Sequence, residues 1–287
     1  MKRYITTLFI FTLLASSCAK DKTDYLVTIK TPYGDMVAIL YDETPKHKAN
    51  FIKLAKEHYF DSLLFHRVIQ GFMIQGGDPN SKHAQPGQPL GSGGPGYTID
   101  AEFVPSLFHK KGALSAARTD NPAKASSGSQ FYIVQGTVVP KEELDGLRYD
   151  QMQLITGLRQ LLEDPANKPL QDSLTQLYYS GNVAAYQKAL FACAPQVERV
   201  TGLKVMKDIP EERIQAYTTV GGSPHLDDQY TVFGQVIKGF DVIDKIAAVQ
   251  RDPGDRPTED VRMIVTVEEM SRKKITKEFG YQYPTPK

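Results

Sequence analysis

Residues 65–78, FHRVIQGFMIQGGD, place a histidine and an arginine between a phenylalanine and a run of aliphatic residues. Gly71 interrupts the apolar run, which predicts two short strands folded back on each other. In such a hairpin Arg67 lies opposite Gln75, and residues of equal parity share a face. That face is predicted to carry Arg67, Ile69, Met73 and Gln75. A guanidinium is a permanent charge with fixed donors, so two interpretations stay open: a buried ion pair, or a donor that serves a ligand.

The segments on both sides of this hairpin also have strand character. Three further stretches are rich in apolar and β-branched residues and predict strands, namely 25–40, 230–237 and 261–270. The first of them turns at Pro32-Tyr33-Gly34. Helices are predicted directly after Thr44-Pro45 and at 241–249. The pattern therefore indicates a mainly β domain with few helices.

The middle of the chain has a different period. Apolar residues there recur three to five positions apart, as in Leu144, Leu147, Met152, Ile155, Leu158 and Leu162. This spacing predicts a helical insertion over 138–223 within a β domain formed by 25–137 and 224–270. Residues 271–287 are basic and contain proline, and they are predicted to form a solvated C-terminal tail.

The N-terminus has the pattern of an export signal. Basic residues precede the apolar run 4–15, which is too short to span a bilayer at ~20 residues but suits a signal-peptide core. The small residues that follow lead to Cys18 and resemble the lipobox of bacterial lipoproteins; a chance cysteine after a cleavage site is the alternative. We predict a signal peptide at 1–17, lipidation of Cys18, and a tether at 18–24. The protein would then be exported and anchored to a bacterial envelope membrane by lipid alone.

Composition restricts the classes of partner. The chain has 287 residues, of which 41% are hydrophobic, and a formal charge of +1. Removing 1–17 takes away two basic groups and no acidic group, and +1 − 2 = −1, which does not favour nucleic acid. Cys193 has no partner for a disulfide once Cys18 is lipidated, and we predict it to be a small buried residue. No convincing metal-ligand spacing occurs, so neither metal nor cofactor is expected.

The stretch FHRVIQGFMIQGGD resembles the signature of the cyclophilins, the peptidyl-prolyl cis-trans isomerases. The resemblance continues in the family's order through GSGGPGYTIDAEF, GALSAAR, GSQFYIV and LDDQYTVFGQV, and covers roughly 25–137 and 224–270. It implies a cyclophilin-like eight-stranded antiparallel β-barrel capped by two helices. An outer groove of this fold would bind an extended peptide around a proline.

The resemblance also implies roles for individual residues. Arg67 matches the catalytic arginine, and Gln75 matches the glutamine that orients it. The walls of the proline pocket are matched by Phe72, Met73, Tyr132 and Leu226. The remaining groove positions are Gln130, Tyr230, and the pair Ala117 and Arg118, whose backbone is expected to bind the substrate strand. His66, beside the arginine, is expected to be a packed structural histidine.

These roles are consistent with the chemistry of the prolyl bond. Its rotation has a barrier of ~18–20 kcal/mol because amide resonance must break. No covalent bond is made or broken, so the catalyst needs a site that favours the twisted amide. A guanidinium N–H aimed at the prolyl nitrogen supplies such a site. We therefore predict an isomerase that assists folding of exported proteins; the alternative is a catalytically weak chaperone or scaffold that holds proline-containing peptides in the same groove.

Two features depart from the family pattern. His225 stands where well-known members have a tryptophan that contacts cyclosporin, so sensitivity to this drug is left open. The insertion enters after the strand bearing Tyr132 and leaves just before Leu226, which places its ends beside the pocket. It could form a lid or a second client-binding surface, or be a packed decoration without effect on activity. A monomer is the simplest expectation for the assembly state.

Overall fold

The computed structural model describes residues 21–284, so the predicted signal peptide and Cys18 lie outside the described residues. The strands are β1 (Thr23–Thr31), β2 (Gly34–Leu40), β3 (Phe65–Ile69), β4 (Met73–Gly76), β5 (Thr98–Ile99), β6 (Ala113–Ala116), β7 (Ser126–Ser127), β8 (Phe131–Val134), β9 (Val232–Lys238) and β10 (Ile264–Ser271). The helices are α1 (Pro45–Lys56), α2 (Lys141–Leu147), α3 (Gln151–Leu161), α4 (Lys168–Tyr179), α5 (Val183–Ala192), α6 (Ala194–Thr201), α7 (Glu211–Thr219), α8 (Phe240–Ala247) and α9 (Arg272–Phe279).

Eight of the strands form one antiparallel sheet in the order β10-β1-β2-β9-β6-β8-β4-β3. The sheet curls into a half-barrel, and backbone hydrogen bonds join the edge strand β3 and the residues before it to the segment that precedes the other edge strand, β10. The N–H of Phe65 donates to the carbonyl of Val261 at 2.9 Å, and the N–H of Met263 donates to the carbonyl of Leu63 at 2.8 Å. The predicted eight-stranded antiparallel architecture is confirmed.

Helices α1 and α8 cap the curled sheet, as the resemblance implied. Phe51 and Leu54 of α1 and Ile243 and Ile246 of α8 are at most 3% exposed. They share one core with strand residues such as Phe131. Full burial of each such side chain stabilises the fold by about 1.5–3 kcal/mol, so this core holds the strands that carry the groove in place.

The hairpin of β3 and β4 has the predicted register. Arg67 pairs with Gln75, and Ile69 pairs with Met73. Gly71 at the turn has a φ of +78°, which favours glycine, and its N–H donates to Oε1 of Gln135 at 2.6 Å. Val68 and Ile74, of the opposite parity, are fully buried in the core.

The middle of the chain is helical, with α2 to α7 lying between Lys141 and Thr219. Helices α3 to α6 and the segment after them enclose their own apolar core, in which Leu154, Ala194, Val197 and Val205 are fully buried. Cys193 is 5% exposed in this core, which confirms its predicted burial. Helices α2 and α7 instead pack against Phe108, which precedes β6. The insertion thus has a core of its own and a separate contact with the half-barrel.

Both predicted ends of the barrel domain need correction. Strand β1 begins at Thr23, so two residues assigned to the tether belong to the sheet. The prediction of a solvated tail was wrong, because α9 follows β10 directly and buries Ile275 completely. Ile275 and Phe279 are one turn apart and form an apolar stripe that packs on Leu26. Charged residues surround Ile275 and Phe279 in the sequence, so the apolar stripe was not recognised there.

Candidate active site

An open groove of about 870 Å³ runs along the outside of the half-barrel. It contains all the predicted groove residues except Gln130, namely Arg67, Phe72, Met73, Gln75, Ala117, Arg118, Tyr132, Leu226 and Tyr230. The hairpin of β3 and β4, strand β8, the loop after β6 and the segment before β9 supply these residues. The fold therefore brings together residues that lie far apart in the sequence.

One part of the groove is an apolar pocket. Met73, Ala117, Tyr132 and Leu226 are each at most 9% exposed and belong to one cluster. The half-buried ring of Phe72 packs against the same cluster. A pocket of this shape and polarity suits a small apolar ring such as that of proline.

Arg67 stands beside this pocket with its side chain 44% exposed. Its Nη1 donates to Oε1 of Gln75 at 3.4 Å, and Nε2 of Gln75 donates to Oε1 of Gln130 at 3.0 Å. Nε2 of Gln130 donates in turn to the carbonyls of Gly91 and Gly93 at 2.9 and 2.7 Å. Gln130 thus lies behind Gln75 and connects the arginine to the glycine-rich loop that borders the groove.

Arg67 has a second partner that was not predicted from the sequence. Oδ2 of Asp255 lies 3.9 Å from Nε of Arg67, in the loop between α8 and β10. The backbone carbonyl of Asp255 accepts from the N–H of Val68 at 2.8 Å, which anchors this loop beside β3. Gly254 before it marks a turn in the sequence, but the contact with Arg67 is long-range and has no local signal.

The backbone of Ala117 and Arg118 was predicted to bind the substrate strand, and both backbone groups of Ala117 have partners within the protein. The N–H of Ala117 donates to the carbonyl of Gln130 at 2.9 Å, and its carbonyl accepts from Ser127 at 2.8 Å. Its backbone groups are thus bonded within the protein, because the pairing of β6 with β8 continues past Ala116, and Ala117 contributes its side chain to the pocket. The guanidinium of Arg118 lies 4.7 Å from the ring centre of Tyr230 and forms a charged rim.

His66 fits the predicted structural role. It is 4% exposed, and burial lowers the pKa of its imidazole to about 4, although Asp78 opposes this shift. The ring is therefore neutral at neutral pH and supplies no proton. Among residues 21–284, no group of three or more His, Cys, Asp or Glu side chains is placed to hold a metal ion. Nor is any helix in that range both long and apolar enough to cross a membrane.

The protein is a curled antiparallel half-barrel with an outer groove large enough for a peptide. Comparison with known proteins identifies its family. The model of the cyclophilin type peptidyl-prolyl cis-trans isomerase family matches residues 26–159 and 202–268. The unmatched residues between these segments fall inside the predicted insertion. A protein of Staphylococcus saprophyticus named as a peptidyl-prolyl cis-trans isomerase is 32% identical over 235 residues, covering 80% of this chain and 85% of its own. This chain belongs to the cyclophilin-type peptidyl-prolyl cis-trans isomerases.

Two further comparisons delimit this assignment. A Streptococcus pyogenes protein named as a bifunctional phosphatase and peptidyl-prolyl cis-trans isomerase is 34% identical over 255 residues. That match covers 87% of this chain but only 39% of the relative, so the chain spans well under half of that protein. A cyclophilin type isomerase of Cryptosporidium parvum superposes with a TM-score of 0.50 at 20% identity, covering 86% of this chain and 98% of that one. This last likeness concerns the fold alone.

Proposed function

We propose that Arg67 catalyses the isomerisation by stabilising the twisted prolyl amide electrostatically. The observation that carries this proposal is a half-exposed guanidinium, loosely held at 3.4 and 3.9 Å, at the edge of a buried apolar pocket. Contacts of this length leave donors free for a substrate. The neighbouring pocket is where the proline ring would lie.

We infer the following course for the isomerisation. The ring packs against Met73, Tyr132 and Leu226, while the residue before proline turns in the open part of the groove. As the amide twists, resonance is lost and the prolyl nitrogen regains a lone pair. An N–H of Arg67 donates to this lone pair only in the twisted state, so it lowers the barrier without binding either planar form more tightly. A single preorganised donor of this kind contributes about 10²–10³ in rate.

The alternative function is a catalytically weak chaperone or scaffold that uses the groove to hold proline-containing peptides. The test measures isomerisation of a proline tetrapeptide by NMR exchange for wild type, Arg67→Ala and Arg67→Lys. We expect Arg67→Ala to lose about 10²–10³ in kcat and Arg67→Lys to recover little, because lysine lacks the planar fork. Arg159→Ala, an exposed arginine on α3, is the control. Equal rates in wild type and Arg67→Ala would favour the binding module.

We further propose that the clients are unfolded exported proteins and that a lipid on Cys18 holds the enzyme at an envelope membrane. The support is the N-terminal sequence pattern, together with the short distance along the chain from Cys18 to β1, which begins at Thr23. Metabolic labelling with a fatty acid, followed by membrane fractionation, tests this proposal. Wild type should be labelled and Cys18→Ala should not, and an unlabelled wild type would contradict the proposed anchor.

A further inference from the structure

Asp227, the residue after Leu226 of the apolar pocket, is the centre of a buried polar cluster. Its Oδ1 lies 3.0 Å from the backbone N of His109 and 2.9 Å from Nδ1 of the same residue. Its Oδ2 accepts from the hydroxyl of Tyr217 at 2.8 Å and from Nη1 of Arg213 at 3.2 Å. We name these four residues together with Tyr132 the Asp227 cluster.

The members of the Asp227 cluster are almost free of solvent. His109 and Tyr217 are 1% exposed, and Arg213 is 8% exposed. A buried carboxylate is costly unless it is both paired with a charge and hydrogen-bonded. Arg213 supplies the charge, and its Nε and Nη2 also donate to the carbonyl of Pro105. The position of Asp227 therefore depends on α7.

The Asp227 cluster reaches the pocket through His109. A carboxylate only accepts hydrogen bonds, so Nδ1 of His109 is the donor to Asp227. In the neutral ring Nε2 then accepts from the hydroxyl of Tyr132, 2.9 Å away. Burial raises the pKa of Tyr132 well above its usual value, which keeps this hydroxyl protonated. Two pocket walls, Tyr132 and Leu226, are thus connected to one carboxylate.

The insertion contributes two of the five members, since Arg213 and Tyr217 lie on α7. Burial, followed by the adjacent Asp227 carboxylate, raises the pKa of Tyr217, so its hydroxyl remains a donor. The chain returning from the insertion is anchored at the same place, because the N–H of Ser223 donates to the carbonyl of His109 at 2.8 Å. The C-terminal end of the insertion therefore contributes to the contacts that hold the pocket residues.

We propose that Arg213 and Tyr217 of the insertion are positioning residues for the apolar pocket and act through Asp227. The insertion then supports the residues that line the pocket, through contacts outside the groove, and does not act as a lid. This inference rests on the proposed isomerase function and extends it to the insertion. Because the Asp227 cluster holds the walls that bind the ring, and Arg67 lies outside it, its loss should weaken substrate binding more than turnover.

Two variants test the inference, each with a matched control in the insertion. Arg213→Met removes the charge and keeps an unbranched apolar side chain. Arg148→Met, at the half-buried C-terminal end of α2, is its control and likewise removes an arginine paired with an aspartate. Tyr217→Phe removes one hydroxyl, and Tyr149→Phe, whose ring stacks on Phe191, is its control. KM and kcat are measured on a proline tetrapeptide by NMR exchange. We expect Arg213→Met to raise KM about tenfold, equivalent to about 1.4 kcal/mol, and Tyr217→Phe about threefold, with kcat nearly unchanged in both.

A double-mutant cycle separates this role from a merely structural one. In the Asp227→Asn background, Arg213→Met should raise KM much less than it does in wild type, because the carboxylate through which it acts is gone. If Arg213→Met does not fold, Tyr217→Phe still decides the matter. An unchanged KM in the variants, an equal rise in the controls, or full additivity in the cycle would overturn the inference.

The outcome is distinguishable from a failure of the proposed function. A wild-type protein without measurable isomerisation would contradict the function. The dissociation constant of the same tetrapeptide, measured by calorimetry on wild type and variants, would still show whether Arg213 and Tyr217 position the pocket. Equal dissociation constants would then overturn the inference independently of catalysis.

Discussion

Replacing Asp255 by asparagine tests whether the guanidinium of Arg67 needs this carboxylate to hold its direction. The two groups are 3.9 Å apart, and their side chains are 44% and 33% exposed. Solvent screening limits an ion pair at such a site to roughly 0.2–1 kcal/mol. Its loss should therefore lower kcat/KM by about 1.4-fold to 5-fold. Asparagine tolerates the left-handed backbone at this residue, where φ is +65°, so the variant keeps the loop conformation and removes a charge that also lies 3.6 Å from Nη1 of Arg251.

The assay is NMR exchange on a proline tetrapeptide at two ionic strengths. The Debye length shrinks from ~10 Å at 0.1 M salt to ~3 Å at 1 M salt. The difference between wild type and Asp255→Asn should therefore become smaller at high salt. Asp252→Asn is the matched control, since it removes the same charge from the same loop. Oδ1 of Asp252 accepts from the N–H groups of Gly254 and Arg256, and an asparagine oxygen can do the same.

Three results would refute this reasoning. An unchanged or higher rate for Asp255→Asn at low salt would show that the carboxylate does not orient Arg67, or that it weakens the field of the arginine at the substrate. An equal loss in Asp252→Asn would show that only the net charge of the loop matters. A loss that is independent of salt would point to a change of loop structure.

Two further predictions concern stability. The pKa of His66 is about 4 in the fold and about 6.5 in an unfolded chain, so between these pH values only the unfolded state binds the proton. The free energy of unfolding should fall by up to about 3 kcal/mol as the pH decreases through this window; urea titrations should show a flatter pH dependence for His66→Phe. Ile275→Ala should lower the free energy of unfolding by about 2–5 kcal/mol, measured by urea, with kcat/KM retained; a loss below 1 kcal/mol would mean that α9 does not contribute to the fold.

The contrast between the hairpin and the tail shows what could be predicted. The register of β3 and β4 depends on side-chain alternation and a glycine turn, and both are visible within 65–78. The helix α9 depends on one apolar stripe that is stabilised only by packing on the folded sheet, and its local composition is that of a solvated segment. The local sequence pattern therefore predicted the hairpin of β3 and β4 correctly and predicted α9 wrongly.

The candidate site divides in the same way. The groove residues were identified because their motifs resemble a family in sequence and order. The backbone bonds of Ala117 were not foreseen, since they depend on how far β6 and β8 remain paired after folding. The second partner of Arg67 was likewise missed, since Asp255 comes from a loop near the far end of the chain.

The strands, the helical period of the middle segment, the hairpin and the order of the groove motifs can be read from the amino-acid sequence, because these depend on spacing between neighbours in the chain. Tertiary structure alone decided that Asp255 stands beside Arg67, that Arg213 and Tyr217 hold Asp227, and that the C-terminal segment folds onto β1. Arg67 and Asp255, like α9 and β1, lie far apart in the chain, whereas Arg213 and Tyr217 are 14 and 10 residues from Asp227 and reach it only when α7 has packed. The contacts around Asp227 and those of α9 draw their energy from charges and apolar surfaces that leave water together, which happens only when the whole chain has folded. The solvent-exposed pair of Arg67 and Asp255 depends on the fold for its geometry.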